Sequence, residues 1–244
     1  SLLRTYVSRS LWQANLFQRA GQSATRLMGL HTPKKSEFVV IADNRFTSLT
    51  AWVLEIGPEN SENGGSGGTP QNVENVIVEG NKFSLAAPGA VSRFVLVWGR
   101  HITVRNNIFD HTTASWGGSI LVARRGIGPI PVGVSIDNNT AYRATASGGP
   151  WQFVDAASAD MTLVRNNIVY SPLSSVTVAT GTVSAQGNMT ANPLFQNPNT
   201  GDFRLQVGSP AIDHGVLLPL RIDYLGNVRP VTAGVYDVGA HERL

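Results

Sequence analysis

Two adjacent guanidinium groups, Arg124 and Arg125, are the sharpest chemical signal in the chain. Paired arginines bind a carboxylate bidentately and can neutralise charge that develops on it. That suits β-elimination on an acidic polysaccharide, in which a base removes the proton beside a uronate carboxylate and a cation stabilises the enolate-like charge. Arginine itself is a poor base while its pKa stays above about 12. The expected catalytic set is Arg124, Arg125, His31 and Glu55. Arg93, Trp98, Trp151 and Asp155 are the expected substrate contacts, the indoles by stacking on apolar sugar faces.

Glycoside hydrolysis is the competing chemistry, and it needs two carboxylates roughly 5–5.5 or 6.5–9.5 Å apart. Glu55 and Asp155 fall on corresponding strands of units about three apart, so at ~4.8 Å per strand they would stand some 14 Å from one another. No Asp-Asp or Asp-x-Asp doublet offers another pair, and no Ser-His-Asp order, HExxH helix or phosphate loop is present. With no cysteine in the chain, thiol nucleophiles, disulfides and zinc ribbons are excluded together. Basic residues are not clustered with interleaved aromatics, so nucleic acid is not an expected partner. A net charge of +3 leaves room for a polyanion without specifying one.

The elements that must position these residues are set by a repeat. Apolar, any, apolar, any, any, Asn, any, apolar recurs as VVIADNRF from Val39, VIVEGNKF from Val76, ITVRNNIF from Ile102 and VSIDNNTA from Val134. It returns as TLVRNNIV from Thr162 and VSAQGNMT from Val183, with a weaker copy, SLWQANLF, from Ser10. The asparagines are Asn15, Asn44, Asn81, Asn107, Asn139, Asn167 and Asn188, spaced 29, 37, 26, 32, 28 and 21 residues apart. A fixed motif at variable spacing means a constant unit with loops of differing length at its corners. Alternation before each Asn predicts a strand with one buried face, so Val39, Ile41, Val76, Val78, Ile102 and Val104 should point inward.

Each repeated Asn is expected at a sharp turn, in the left-handed backbone region that Asn tolerates. Stacked turns then let Asn44, Asn81, Asn107, Asn139 and Asn167 form an amide ladder, and the phenylalanines two places on should stack on one another. Between the Asn motifs lie second strands around Leu27, Leu54, Leu96, Leu121 and Phe153, whose outward residues include the candidate site. The inserts from Pro58 to Gln71 and Gly126 to Pro131 could wall a groove beside them.

These units, VRNNIFD and VRNNIVY above all, resemble those of pectate-lyase-like right-handed β-helix proteins. The stretches from Asn192 to Gly215 and from Asp223 to Glu242 resemble the terminal segment of secreted bacterial β-helix proteins. The resemblance implies an all-β fold: a right-handed parallel β-helix, a single-stranded solenoid of about seven rungs with three short strands each and a C-terminal capping segment. Rungs are expected over 1–190 and the capping segment over 191–244, with Asp202, Asp213, Asp223, Arg229, Asp237 and Glu242 tying the latter down.

The resemblance further implies a secreted or cell-surface protein that interacts with carbohydrate, a polysaccharide lyase if it is an enzyme, with calcium a cofactor of many relatives. A non-catalytic surface, fibre or adhesion module and a glycoside hydrolase are the alternatives. No apolar run is long enough for a membrane span. The N-terminal end carries no capping helix, and further rungs or another chain are expected to cover it.

Overall fold

The structure is a computed structural model that describes residues 4–5, 8–19, 25–29, 36–48, 52–58, 73–85, 93–113, 117–124, 130–145, 151–232 and 235–243. Successive strands visit three parallel sheets in rotation, each pairing with its counterpart one unit earlier and one unit later. The first sheet holds seven strands, from Arg4–Thr5 through Thr25–Gly29, Trp52–Pro58, Arg93–Val97, Gly118–Ala123 and Trp151–Ser158 to Val176–Gly181. Seven more form the second sheet, from Ser8–Gln13 through Ser36–Ala42, Val73–Glu79, Arg100–Arg105, Ser135–Asp137 and Thr162–Arg165 to Val183–Gln186. The third sheet has six: Leu16–Arg19, Arg45–Ser48, Lys82–Leu85, Ile108–Asp110, Thr140–Tyr142 and Ile168–Tyr170. There is no α-helix among the described residues. Three long parallel sheets visited in this order fit a parallel β-helix, with one rung per repeat unit.

The alternating residues of the motif fill the interior. Val39, Ile41, Val76, Val78, Ile102 and Val104 are all fully buried. Because parallel register places equivalent residues directly above one another, Phe17, Phe46, Phe83 and Phe109 stack with centroids 4.7, 4.8 and 5.1 Å apart and rings within 7° of parallel. In the next rung the register position of Phe109 belongs to the smaller Ala141, and Phe153 from the first sheet packs edge-on to Phe109.

The repeated asparagines run beside this core as a continuous amide chain. Each Oδ1 accepts both the backbone N–H and an Nδ2–H of the asparagine one rung earlier, at 2.9–3.0 Å, from Asn15 through to Asn188. From Asn44 onward, Nδ2 also donates to a strand carbonyl of the preceding rung at 2.6–2.9 Å. Asn44, Asn81, Asn107, Asn139 and Asn167 are accordingly buried without leaving the amide unsatisfied.

One expectation is corrected here. The left-handed residue is not the ladder asparagine but the residue before it: Ala14, Asp43, Gly80, Asn106, Asn138, Asn166 and Gly187 all have φ between 49° and 64°. Gly, Asn and Asp fill six of the seven positions, as the steric penalty on Cβ in that region favours. The ladder residue itself needs only an inward-facing amide.

The Asn-Asn doublets thus contain two residues with separate tasks, and the first of each pair holds the C-terminal segment. Asn106 Nδ2 donates to the Ile222 carbonyl and Asn138 Nδ2 reaches the carbonyls of Asp237 and Gly239. Asn166 exchanges two hydrogen bonds with the backbone of Val216. An antiparallel hairpin, Phe195–Asn197 with Asp202–Leu205, begins this segment. Phe195, Phe203, Leu205, Ala211, Val238 and Ala240 bury Ile108, Tyr142 and Ile168 of the third sheet. The segment therefore runs back along the flank of the stack, while Val178, Ala179 and Val183 of the final rung stay half-buried.

Its closing turns are organised by Arg229, which is 1% exposed. The guanidinium pairs with Glu242 at 2.7 Å, donates to the carbonyls of Asp237 and Gly239, contacts Asn106 Oδ1 and lies 5.0 Å from the Tyr236 ring centroid. Asp237 accepts the N–H groups of Asp213 and Arg243, and Asp223 accepts those of Leu225, Asn227 and Glu242. Burial, with Asp237 as a second carboxylate beside a single arginine, pushes Glu242 up to about 7, and burial raises Asp237 as well.

This has a consequence for pH. A carboxyl group whose folded pKa is raised contributes stability at low pH that is lost as pH rises through the folded value. Burial lowers His241 to about 4 and His111 to about 3, which acts in the opposite sense, but only up to the ordinary histidine value near 6.5. Glu242→Gln is therefore expected to gain stability relative to the parent as pH is raised from 5 to 8. Melting temperatures of both proteins across that range measure the difference, and parallel curves would refute the assignment.

Candidate functional site

Of the candidate residues, Arg93 and Asp155 meet on the first sheet. Register there runs Arg26, Glu55, Leu96, Leu121, Asp155, Thr180 along one line of the stack. Glu55 and Asp155 are thus separated by two intervening strands, beyond either separation that glycoside hydrolysis uses. Arg93 and Asp155 are brought together despite lying in strands two apart: Arg93 Nη2 stands 3.3 Å from Asp155 Oδ2, both side chains about one-fifth exposed. The intervening strand makes this contact available through Gly118. A Cβ there would lie 3.1 Å from the Arg93 guanidinium and 2.8 Å from the Gln152 carbonyl, so only a bare Cα lets Arg93 pass over. Gln152 donates onward to Thr180 Oγ1 in the last strand of the sheet.

Arg124 closes the strand Gly118–Ala123 and is exposed, its backbone N–H bonded to the Ser158 carbonyl at 3.0 Å. Glu55 is 0% exposed and does not present its carboxylate to solvent. Both expected sugar-stacking indoles are packed inside as well. Trp98 lies against the bare Cα of Gly57, where a Cβ would fall 1.9 Å from its ring, and Trp151 sits edge-on to His111. His31 and Arg125 lie outside the described residues, as do the inserts at 59–72 and 125–129.

Under this face lies a polar cluster that the sequence did not announce. His111, wholly buried, bonds through Nε2 to Ser119 Oγ at 2.9 Å and packs 4.6 Å from the Phe94 ring centroid. Burial first, then the positive charges of Arg143 and Arg93, hold its imidazole neutral far below pH 7. Arg143 is itself 2% exposed, and its Nε donates to Thr145 Oγ1. Eight positions separate His111 from Ser119, and only the fold of the corner between the third and first sheets makes them partners.

Among the described residues no three His, Asp or Glu side chains converge as a candidate metal centre. The polar side chains on this face include the exposed Arg124, the partly exposed Arg93–Asp155 pair and Gln152. No protein-family model matches the chain, and no curated protein matches it significantly.

Proposed function

We propose that this chain is a right-handed parallel β-helix of the pectate-lyase-like kind, with rungs over 1–190 and a closing segment over 191–244. In this reading it is secreted or carried at a cell surface, and the outer face of its first sheet engages an acidic polysaccharide. The observation that supports it best is the Arg93–Asp155 pair stretched over Gly118, with Arg124 exposed at the end of the neighbouring strand. Together these offer cationic donors along a flat parallel sheet. A polymer lying across such a face meets a new strand every ~4.8 Å, close to the repeat of an extended sugar chain.

The proposed reaction is β-elimination. A uronate carboxylate pairs with Arg124 and Arg125, which stabilises the negative charge that builds as the neighbouring proton leaves. His31 is the proposed base. Electrons from the broken C–H bond form the new double bond, the glycosidic C–O bond breaks, and the departing oxygen takes up a proton from water. A non-catalytic binding module is the second reading, and one observation favours it: Glu55 is sealed from solvent and Asp155 is held by Arg93, which leaves this face richer in donors than in bases.

The test is a panel of polyuronates and neutral polysaccharides, with and without calcium, read by absorbance of the unsaturated product and by binding in parallel. Product from a polyuronate, lost in a folded Arg124→Ala, Arg125→Ala variant, is the outcome expected of a lyase. Binding without product, weakened by the same variant, selects the module. A folded protein that neither binds nor cleaves any acidic polymer overturns both readings.

A further inference from the structure

The hairpin and the last turns of the C-terminal segment enclose a pocket of about 440 Å³, within the size range of small-molecule sites. No residue in it belongs to the first-sheet face. Its lining combines the buried Leu205 and the exposed Leu225 with the cations Arg204 and Arg243. Arg243 is exposed and its guanidinium has no partner among the described residues, while its backbone is pinned by a 2.7 Å hydrogen bond to Asp237. Arg204 gives Nε and Nη2 to Asp202, which leaves Nη1 for another acceptor.

Two amides complete the polar rim. Gln196 bonds through Nε2 to the Leu205 carbonyl and Asn227 through Nδ2 to Asp223, so each keeps its oxygen for a hydroxyl donor. His241 forms the inner wall, 5.4 Å from the Tyr224 ring centroid, and its Nδ1 has no hydrogen-bond partner. A buried polar atom left in this way is a cost to the fold that a site can justify. The one carboxylate in the wall, Glu242, has its charge opposed by Arg229 at 2.7 Å.

We infer that this pocket binds the carboxylate of a single acidic sugar, with Arg243 and Arg204 on the carboxylate, Gln196 and Asn227 on hydroxyls, and the apolar ring face on Leu205 and Leu225. A guanidinium fork matches a planar carboxylate, and the two leucine side chains suit the C–H face of a pyranose. The inference does not depend on the first-sheet reading, since the two share no residue.

The experiment is calorimetric titration of the whole chain with glucuronate and galacturonate, beside glucose, galactose, the uronate methyl esters and inorganic phosphate. Saturable binding of a uronate is expected, at least about tenfold tighter than its neutral counterpart, and weakened about tenfold or more in Arg243→Ala, as loss of one charge-assisted pair implies. Arg9→Ala, which removes an exposed arginine of the second sheet outside both this pocket and the first-sheet face, should leave it unchanged. Absence of saturable uronate binding, equal binding by Arg243→Ala, or phosphate binding as tightly as the uronate would each overturn the inference.

Discussion

Asn139→Ala is expected to destabilise the protein by about 3–5 kcal/mol, the sum of several lost hydrogen bonds and one buried donor left without an acceptor. The side chain accepts from the backbone N–H and Nδ2 of Asn107 and donates to the Val104 carbonyl and to Asn167 Oδ1. Once it is gone, Asn107 retains side-chain partners in Val78 and Arg105, but its backbone N–H has none. Water cannot substitute, because Asn107 is 0% exposed. The same change at Asn15, which is exposed and accepts from no earlier ladder asparagine among the described residues, should cost only about 1 kcal/mol. Chemical denaturation of the two variants checks both the size and the ratio, and equal losses would mean that the ladder's cooperativity has been overstated.

Arg229→Met is the second large effect, and its origin is electrostatic. Removing the cation leaves Glu242 and Asp237 buried together with nothing to oppose their charge, a situation that typically destabilises by about 3–5 kcal/mol. For a chain of this size that corresponds to a fall in melting temperature of about 6–10 °C. The loss should be partly reversed in Arg229→Met, Glu242→Leu, since replacing both partners of a buried pair removes the unmatched charge. It should also be smaller at pH 5 than at pH 8, where Glu242, raised to about 7, has ionised. Failure of the double variant to recover stability would show that Arg229 acts through its carbonyl contacts and the Tyr236 face rather than through charge.

The fold was more legible in the sequence than the site, for a physical reason. Equivalent positions in a parallel stack face the same environment, so Val76, Ile102 and Phe83 repeat the choices made at Val39, Val76 and Phe46 in the rung before. The ladder asparagine was readable for the same reason. The turn residue was not, because its constraint is a backbone angle that Ala14, Asp43, Gly80 and Asn106 satisfy with different side chains. Nor did the doublets at Asn106, Asn138 and Asn166 declare that their first members hold a segment fifty to more than a hundred residues away.

The candidate site depends on contacts that repetition does not encode. Arg93 and Asp155 are 62 positions apart and meet across a strand whose residue in register with Arg93 is the bare Gly118. Trp98 and Trp151 are apolar enough to be core and polar enough to bind sugar, and composition cannot decide which. Their neighbours decide it: the bare Gly57 under one and the buried His111 beside the other. Glu55 shares this ambiguity, since alternation places it on the outer line while the structure covers it completely.

The stack held by an internal amide ladder is tested most directly by hydrogen exchange followed by NMR at the ladder positions. The backbone N–H and Nδ2 protons of Asn81, Asn107 and Asn139 should exchange only through global unfolding, with the exposed Asn15 far faster. Exchange of the three interior asparagines at the rate of Asn15, in a protein that remains folded, would contradict the ladder and the stacked rungs that depend on it.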